Sequence, residues 1–395
     1  MNKKKFTLLF ITYGLLLFSL FLYSFTQIDL NLTLSQASII QNFQKFFIQI
    51  GYFNRPLSTV IFLLLIFILY TLYFILLLLI KEKKITERQI WLLIGLTVGV
   101  LLFSYPAFSH DLFNYMFDAR IFTTYGLNPY QYKALDFPSD PWIRFMHWTH
   151  RTYPYGPLFL ALSFIPSFLG FGKFVLTLFN FKLFTVASFL SSVILIDRIM
   201  KKINPKGKLL AISFFSFNPL IIIEVLVNGH NDIFMLFFLL VSIYFLIKGK
   251  NIYSLFFLLA SAGIKFATIV FLPLYFLVFL YKRVNWQVIF KTMILLFLLA
   301  LIPVIYQREP YPWYFIPLLG IVSLTVESVF ITLLSFGFSL GMLLRYAPFL
   351  YFGDYKEPVP TLTFWLTVIP IFLSIAAWFL NQTKKHDRGI LSKNK

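Results

Sequence analysis

Long apolar runs separated by short polar punctuation dominate the chain, and twelve of them are long enough to be read as membrane helices. They cover roughly 6–26, 57–80, 89–107, 174–197, 208–227, 233–248, 252–264, 267–281, 288–305, 313–327, 328–347 and 361–380. A thirteenth run, Leu158–Gly170, is short, carries Pro166 and closes on Gly170 and Gly172, which suits a re-entrant segment. Between Pro106 and Gly126 the pattern changes. Ser109 can cap a helix over 110–125 whose apolar side is Leu112, Phe113, Met116 and Phe117. Asp111, Asn114, Tyr115 and Asp118 fall on its polar side, so the pattern predicts an amphipathic helix lying flat at the membrane surface. The expected fold is an all-α polytopic membrane protein, a single domain over 1–395, with a large polar loop at 108–156 and no separate soluble domain.

Composition supports that class. Hydrophobic residues make up 59% and charged residues 12%, which excludes an ordinary soluble globule. No cysteine occurs, so thiol nucleophiles and thiolate metal sites are excluded. The net charge of +19 would suit nucleic acid, but no reader motif is present. The basic residues instead cluster between apolar runs: Lys3–Lys5, Lys81–Arg88, Arg198–Lys208, Lys248/Lys250, Lys282/Arg283 and Lys384–Lys395. With twelve crossings every cluster falls on one side together with both termini, and the positive-inside rule makes that side cytoplasmic. The 108–156 loop, Asn228–Asp232, Gly263–Phe266 and Gln307–Tyr314 then lie on the outer face of the cell membrane.

Candidate chemistry gathers on that outer face. Asp111 follows a membrane span almost directly, beside His110, where a carboxylate could act as general base on an acceptor hydroxyl; it could equally serve only the helix dipole. Asp118 reads as the partner of Arg120. Tyr155, within Tyr153-Pro154-Tyr155-Gly156-Pro157, closes the loop. Glu224, Asn228, His230, Asn231 and Asp232 put a histidine, two amides and two carboxylates within nine residues, with Glu224, Asn228 and Asn231 on one face if the helix continues. Such a group suits a sugar or a phosphate, and its spacing fits no zinc pattern. Lys265 interrupts an apolar run and needs an anionic partner, which a lipid phosphate would supply with Arg308 as a second cation. Trp313 and Tyr314 could stack on a sugar ring or simply form an aromatic belt.

Taken in order, Ser109-His110-Asp111-x3-Tyr115, Gly126-Leu127-Asn128-Pro129-Tyr130, Tyr155-Gly156-Pro157-Leu158, Asn218-Pro219-Leu220, Gly229-His230-Asn231-Asp232, Lys265 and Pro312-Trp313-Tyr314 resemble the membrane-embedded glycosyltransferases of the GT-C superfold. The nearer resemblance is to the polyprenyl-phosphomannose-dependent mannosyltransferases, over about residues 100–320. The series is more specific to the superfold than to mannose. It implies transfer of a hexose from a polyprenyl-phosphate donor to an extracytoplasmic glycan or lipid-linked acceptor, with inversion. Asp111 stands where the family's loop carboxylate activates the acceptor. The Asp-x-Asp of metal-dependent members is absent, which puts a catalytic divalent metal in doubt; the reading needs no cofactor. The main rival is a transporter or flippase of lipid-linked sugars, which would place its charges near the midplane. A lipid-linked glycan polymerase or ligase is the second.

Overall fold

The computed structural model describes residues 3–30, 32–33, 35–281 and 284–393; Lys282, Arg283 and Lys395 of the basic clusters lie outside them. Those residues form helices and connecting turns, with no strand among them. In chain order the helices are α1 (Lys3–Ser24), α2 (Ser38–Ile48), α3 (Arg55–Lys81), α4 (Glu87–Leu101), α5 (Asp111–Tyr125) and α6 (Pro157–Phe168). There follow α7 (Phe174–Ile203), α8 (Lys208–Ser216), α9 (Pro219–Ile221), α10 (Asp232–Ile247), α11 (Asn251–Ala262) and α12 (Leu272–Leu280). The last are α13 (Trp286–Gln307), α14 (Ile316–Ser323), α15 (Val329–Leu344), α16 (Tyr346–Phe352) and α17 (Val359–Lys393).

Six of these helices are long and apolar enough to cross a membrane, and the bent pair Lys208–Ser216 with Pro219–Val227 makes a possible seventh. The chain is a polytopic membrane protein. Six or seven helices thus meet the length and composition of a crossing, and the expected spans at 89–107, 233–248, 252–264, 267–281 and 313–327 are shorter helices. α6 is also short: 12 residues rise roughly 18 Å, well below a hydrocarbon core of about 30 Å. It packs along α5, where Phe122 stacks on Phe164 at 4.3 Å.

The core sits at α8–α10. Every residue from 211 to 236 is buried, polar ones included. The chain bends by 47° between α8 and α9, where Pro219 offers no N–H and the Asn218 side chain caps Leu220 instead. A π-helical turn, Ile222–Val227, follows at once, and such turns are frequent at functional sites. Gly229 then breaks the helix at φ +79°, and a Cβ there would press on Leu112 at 3.1 Å. The Asn228–Asp232 segment is thus a break inside the core, not a turn facing water. Asn231 lies past that break, off the helix that carries Glu224 and Asn228.

α5 departs from the sequence reading in a second way. It spans the expected residues and ends as expected on left-handed Gly126, with Leu127 N–H bonded to Ile121 and Gly126 N–H to Phe122. Its polar side is not exposed, however: Asp111, Asn114 and Tyr115 are buried along with the apolar side. The 126–156 loop folds back over the helix and covers the face that would otherwise meet water or headgroups. Arg120 is the staple. It pairs with buried Asp140 at 2.7 Å, not with Asp118, and lies 4.3 Å over the Trp142 ring. Tyr125 donates to the same carboxylate at 2.6 Å. Burial opposes the charge on Asp140, but the donors Tyr125, Arg120 and the Trp142 N–H outweigh it and hold the group below its usual pKa.

Candidate active site

Asp111 occupies the first turn of α5; the N-cap is His110, whose side chain makes no cap bond, and Ser109, the expected cap, accepts instead from the Asp111 N–H at 3.3 Å. Its side chain is 10% exposed and faces a cavity of about 1130 Å³. Behind it, in the core, stands a column of titratable groups. His230 Nδ1 lies 3.8 Å from Asp111 Oδ2, and His230 Nε2 lies 3.2 Å from Glu224 Oε2. Neither imidazole nitrogen has an aligned hydrogen-bond partner among the described residues. Glu224 is held from two further sides, by Asn228 Nδ2 at 3.0 Å and Tyr346 OH at 2.9 Å. Asn228 also accepts from the Phe108 N–H at 3.0 Å, tying the π turn to the segment that leads into α5.

The opposite side of Asp111 is built by Tyr155. Its hydroxyl approaches Asp111 Oδ2 at 3.5 Å, while Lys265 Nζ lies 5.2 Å from its ring centroid. Lys265 pairs with buried Asp232 at 2.7 Å. The lysine therefore has a protein anion as well as a face on the cavity. Gly156 explains how these groups meet. The Gly156 N–H bonds to the Ile264 carbonyl and the Leu158 N–H to the Gly263 carbonyl, each at 3.0 Å. A Cβ at Gly156 would sit 2.2 Å from the Gly263 carbonyl oxygen, so only glycine allows this approach. The Tyr-Gly-Pro sequence thereby docks the loop onto the turn that carries Lys265.

Eight of the sequence-selected residues line the cavity: His110, Asp111, Tyr155, Asp232, Lys265, Arg308, Trp313 and Tyr314. Glu224, Asn228, His230 and Asn231 lie behind its wall, and so does Tyr115, packed edge-on against Tyr155 and Phe159. Trp313 already stacks on His230 at 4.1 Å and on Tyr311 at 4.6 Å, which fixes the imidazole more directly than it offers a sugar platform. One wall of the cavity is apolar, formed by Phe266, Ala267, Val270, Ala300 and Val304. Another part of the lining comes from the loop after α5.

Sequence reasoning passed over Lys182. This residue of α7 is 2% exposed and donates to the carbonyls of Leu226 and Val227, at 2.9 Å for the latter, and to Ser104 Oγ at 3.0 Å. It caps the end of the π turn, where carbonyls lack helical partners. Its signal was available: it is the one charged residue between Phe174 and Ile196. Tyr346, which holds Glu224, carried no comparable mark.

His110, His147 and Asp29 bring three possible metal-ligating atoms within 4.8 Å of one another. The two imidazoles are stacked face to face at 3.7 Å and 12°, so their in-plane lone pairs run side by side instead of converging on one centre. Burial, reinforced by neighbouring His147, lowers the pKa of His110 to about 4 and keeps it neutral near pH 7.

The family described as alpha-(1->6)-mannopyranosyltransferase, N-terminal domain, matches residues 25–281, which include α5, its loop, the π turn, the helix break and Lys265. The chain belongs to this family. A relative, alpha-(1->6)-mannopyranosyltransferase A of Mycobacterium tuberculosis (strain ATCC 25618 / H37Rv), is 24% identical over 189 residues, 46% of this chain and 35% of the relative. The matched region of this family member thus spans about a third of that relative's length. No solved structure matches. The mannopyranosyltransferase match agrees with the GT-C-like resemblance, and most residues of the candidate site fall within it; Arg308, Trp313, Tyr314 and Tyr346 lie beyond its end.

Proposed function

We propose that this membrane protein transfers a mannosyl residue from a polyprenyl-phosphate donor to a glycan or lipid-linked acceptor on the extracytoplasmic side, with inversion at the anomeric carbon. One observation carries the reading: a single cavity presents the Asp111 carboxylate, the cations Lys265 and Arg308, and an apolar wall to one another. The lipid tail lies along Phe266, Val270, Ala300 and Val304, and its phosphate meets Lys265 and Arg308. The acceptor hydroxyl gives its proton to Asp111 as its oxygen attacks the anomeric carbon from the face opposite the phosphate. The bond from that carbon to the phosphate oxygen breaks, and the charge growing on the leaving phosphate is offset by the two cations. Lys265 is shared between Asp232 and the donor, so donor binding and local stability are coupled. His230 and Glu224 hold Asp111 from behind. The positive-inside rule, applied to the basic clusters, supports an orientation with both termini and the α7–α8 connection in the cytoplasm and the 108–156 loop outside.

Purified protein in nanodiscs, given radiolabelled polyprenyl-phosphate mannose and an α-mannoside, tests the reading. Transfer with inverted configuration is expected. Movement of labelled lipid between leaflets without transfer would make the chain a transporter.

A further inference from the structure

We propose that the loop wall formed by His147, Trp148, His150 and Arg151 is the acceptor subsite, built for the hydroxyl-rich end of a glycan of at least two sugars. The inference rests on the transfer reading above and adds to it the location and chemical class of the acceptor.

The cavity has two chemically different sides. At about 1130 Å³ it exceeds the ~300–1,000 Å³ of an ordinary small-molecule pocket, so it has room beyond one transferred sugar. The apolar side, between the Phe266–Leu280 segment and α13, offers a lipid tail methyl and methylene surface but few hydrogen bonds. The loop side offers the reverse. Trp148 lines the cavity and remains 42% exposed although Arg151 lies 5.1 Å from its ring centroid and His150 packs edge-on at 6.2 Å. A flat indole with exposed surface, flanked by a guanidinium and the His150 imidazole, matches a pyranose. The ring's C–H face lies on the indole and its hydroxyls meet nitrogen donors and acceptors. His110 and Asp111 line the same cavity, so a glycan seated on Trp148 shares it with the carboxylate.

Arg151 is the cation whose field acts on Asp118, a partly buried carboxylate of α5. The staple between Arg120 and Asp140 holds the loop that carries this wall.

Saturation-transfer NMR of methyl α-D-mannopyranoside and α-1,6-mannobiose with the nanodisc protein tests the proposal without any donor. Saturable binding is expected, tighter for the disaccharide. Trp148→Ala should weaken mannobiose binding at least tenfold, and Trp148→Phe should restore most of it. In transfer assays the same Trp148→Ala change should raise the acceptor KM by a similar factor. Absence of saturable binding by the wild type, or equal binding by Trp148→Ala, overturns the proposal. So does a rise confined to the donor KM, which would assign this wall to the donor. Hydrolysis of donor by the wild type without acceptor keeps the two readings apart: if it proceeds while glycan binding is absent, the acceptor subsite fails and the transfer reading survives.

Discussion

Lys265 donates to Asp232 across 2.7 Å, with the lysine 17% and the aspartate 1% exposed at the side chain. The pair changes what a single substitution at Lys265 would report. Lys265→Met removes the proposed phosphate contact, but it also strands a buried carboxylate, which costs about 3 kcal/mol. Lys265→Met/Asp232→Asn removes both charges together. The double variant should recover thermal stability while its donor KM stays about ten- to a hundredfold above wild type, the effect of losing one charge-assisted contact. Arg308→Gln should raise the donor KM less, since Arg308 lies in a more exposed stretch. A double variant with wild-type donor KM would confine Lys265 to its structural role.

Gly156→Ala should act at a distance from the chemistry. The added methyl group meets the Gly263 carbonyl oxygen at 2.2 Å, so the loop and the Lys265 turn must separate and lose their two backbone hydrogen bonds. A loss of about 1–3 kcal/mol is expected, read as a lower melting temperature in nanodiscs, with donor KM raised as Lys265 shifts away from Tyr155. Gly126→Ala, where the space is open but φ is +69°, should cost less and leave donor KM alone.

Much of this architecture was legible in the chain. Hydropathy identified the membrane class, and the Pro106–Gly126 pattern located α5 to within a residue of both ends. The unusual polar groups at Asp111, Glu224–Asp232 and Lys265 marked the cavity and the column behind it. What periodicity could not supply was which face meets protein. An apolar helix sheathed in lipid and one buried in a bundle read alike, so the wholly internal 211–236 stretch looked like ordinary spans with an exposed turn. Long-range pairing was equally hidden. Asp118 has Arg120 two positions away, yet Arg120 reaches Asp140 because the loop folds back over α5.

Asp118 should give a pH signature. Burial raises its pKa to about 7 against Arg151, which pulls it down. The folded state therefore holds a proton that the unfolded chain releases above about pH 4. The stability from this proton is fully present below the unfolded value, falls as pH rises from about 4 to about 7, and is lost above that. Asp118→Asn should flatten the fall in melting temperature across this window and raise the melting temperature at pH 8. Parallel curves for variant and wild type would contradict the raised pKa.

The proposed orientation has its own test, eased by the absence of native cysteine. A cysteine at position 136 should react with an impermeant thiol reagent in intact cells, and one at 206 should react only after the membrane is opened. Labelling at 206 in intact cells would mean that α6 and its flanks cross the membrane, reversing everything downstream.

Single-turnover transfer by Asp111→Asn, at saturating donor and acceptor, tests the central claim most directly. Asparagine keeps the size of the side chain and its place beside Tyr155 and His230 but cannot take a proton. The rate should fall about 10²- to 10⁴-fold, while donor binding and melting temperature stay near wild type. A variant that transfers at a near wild-type rate would return Asp111 to the helix dipole and contradict the mechanism.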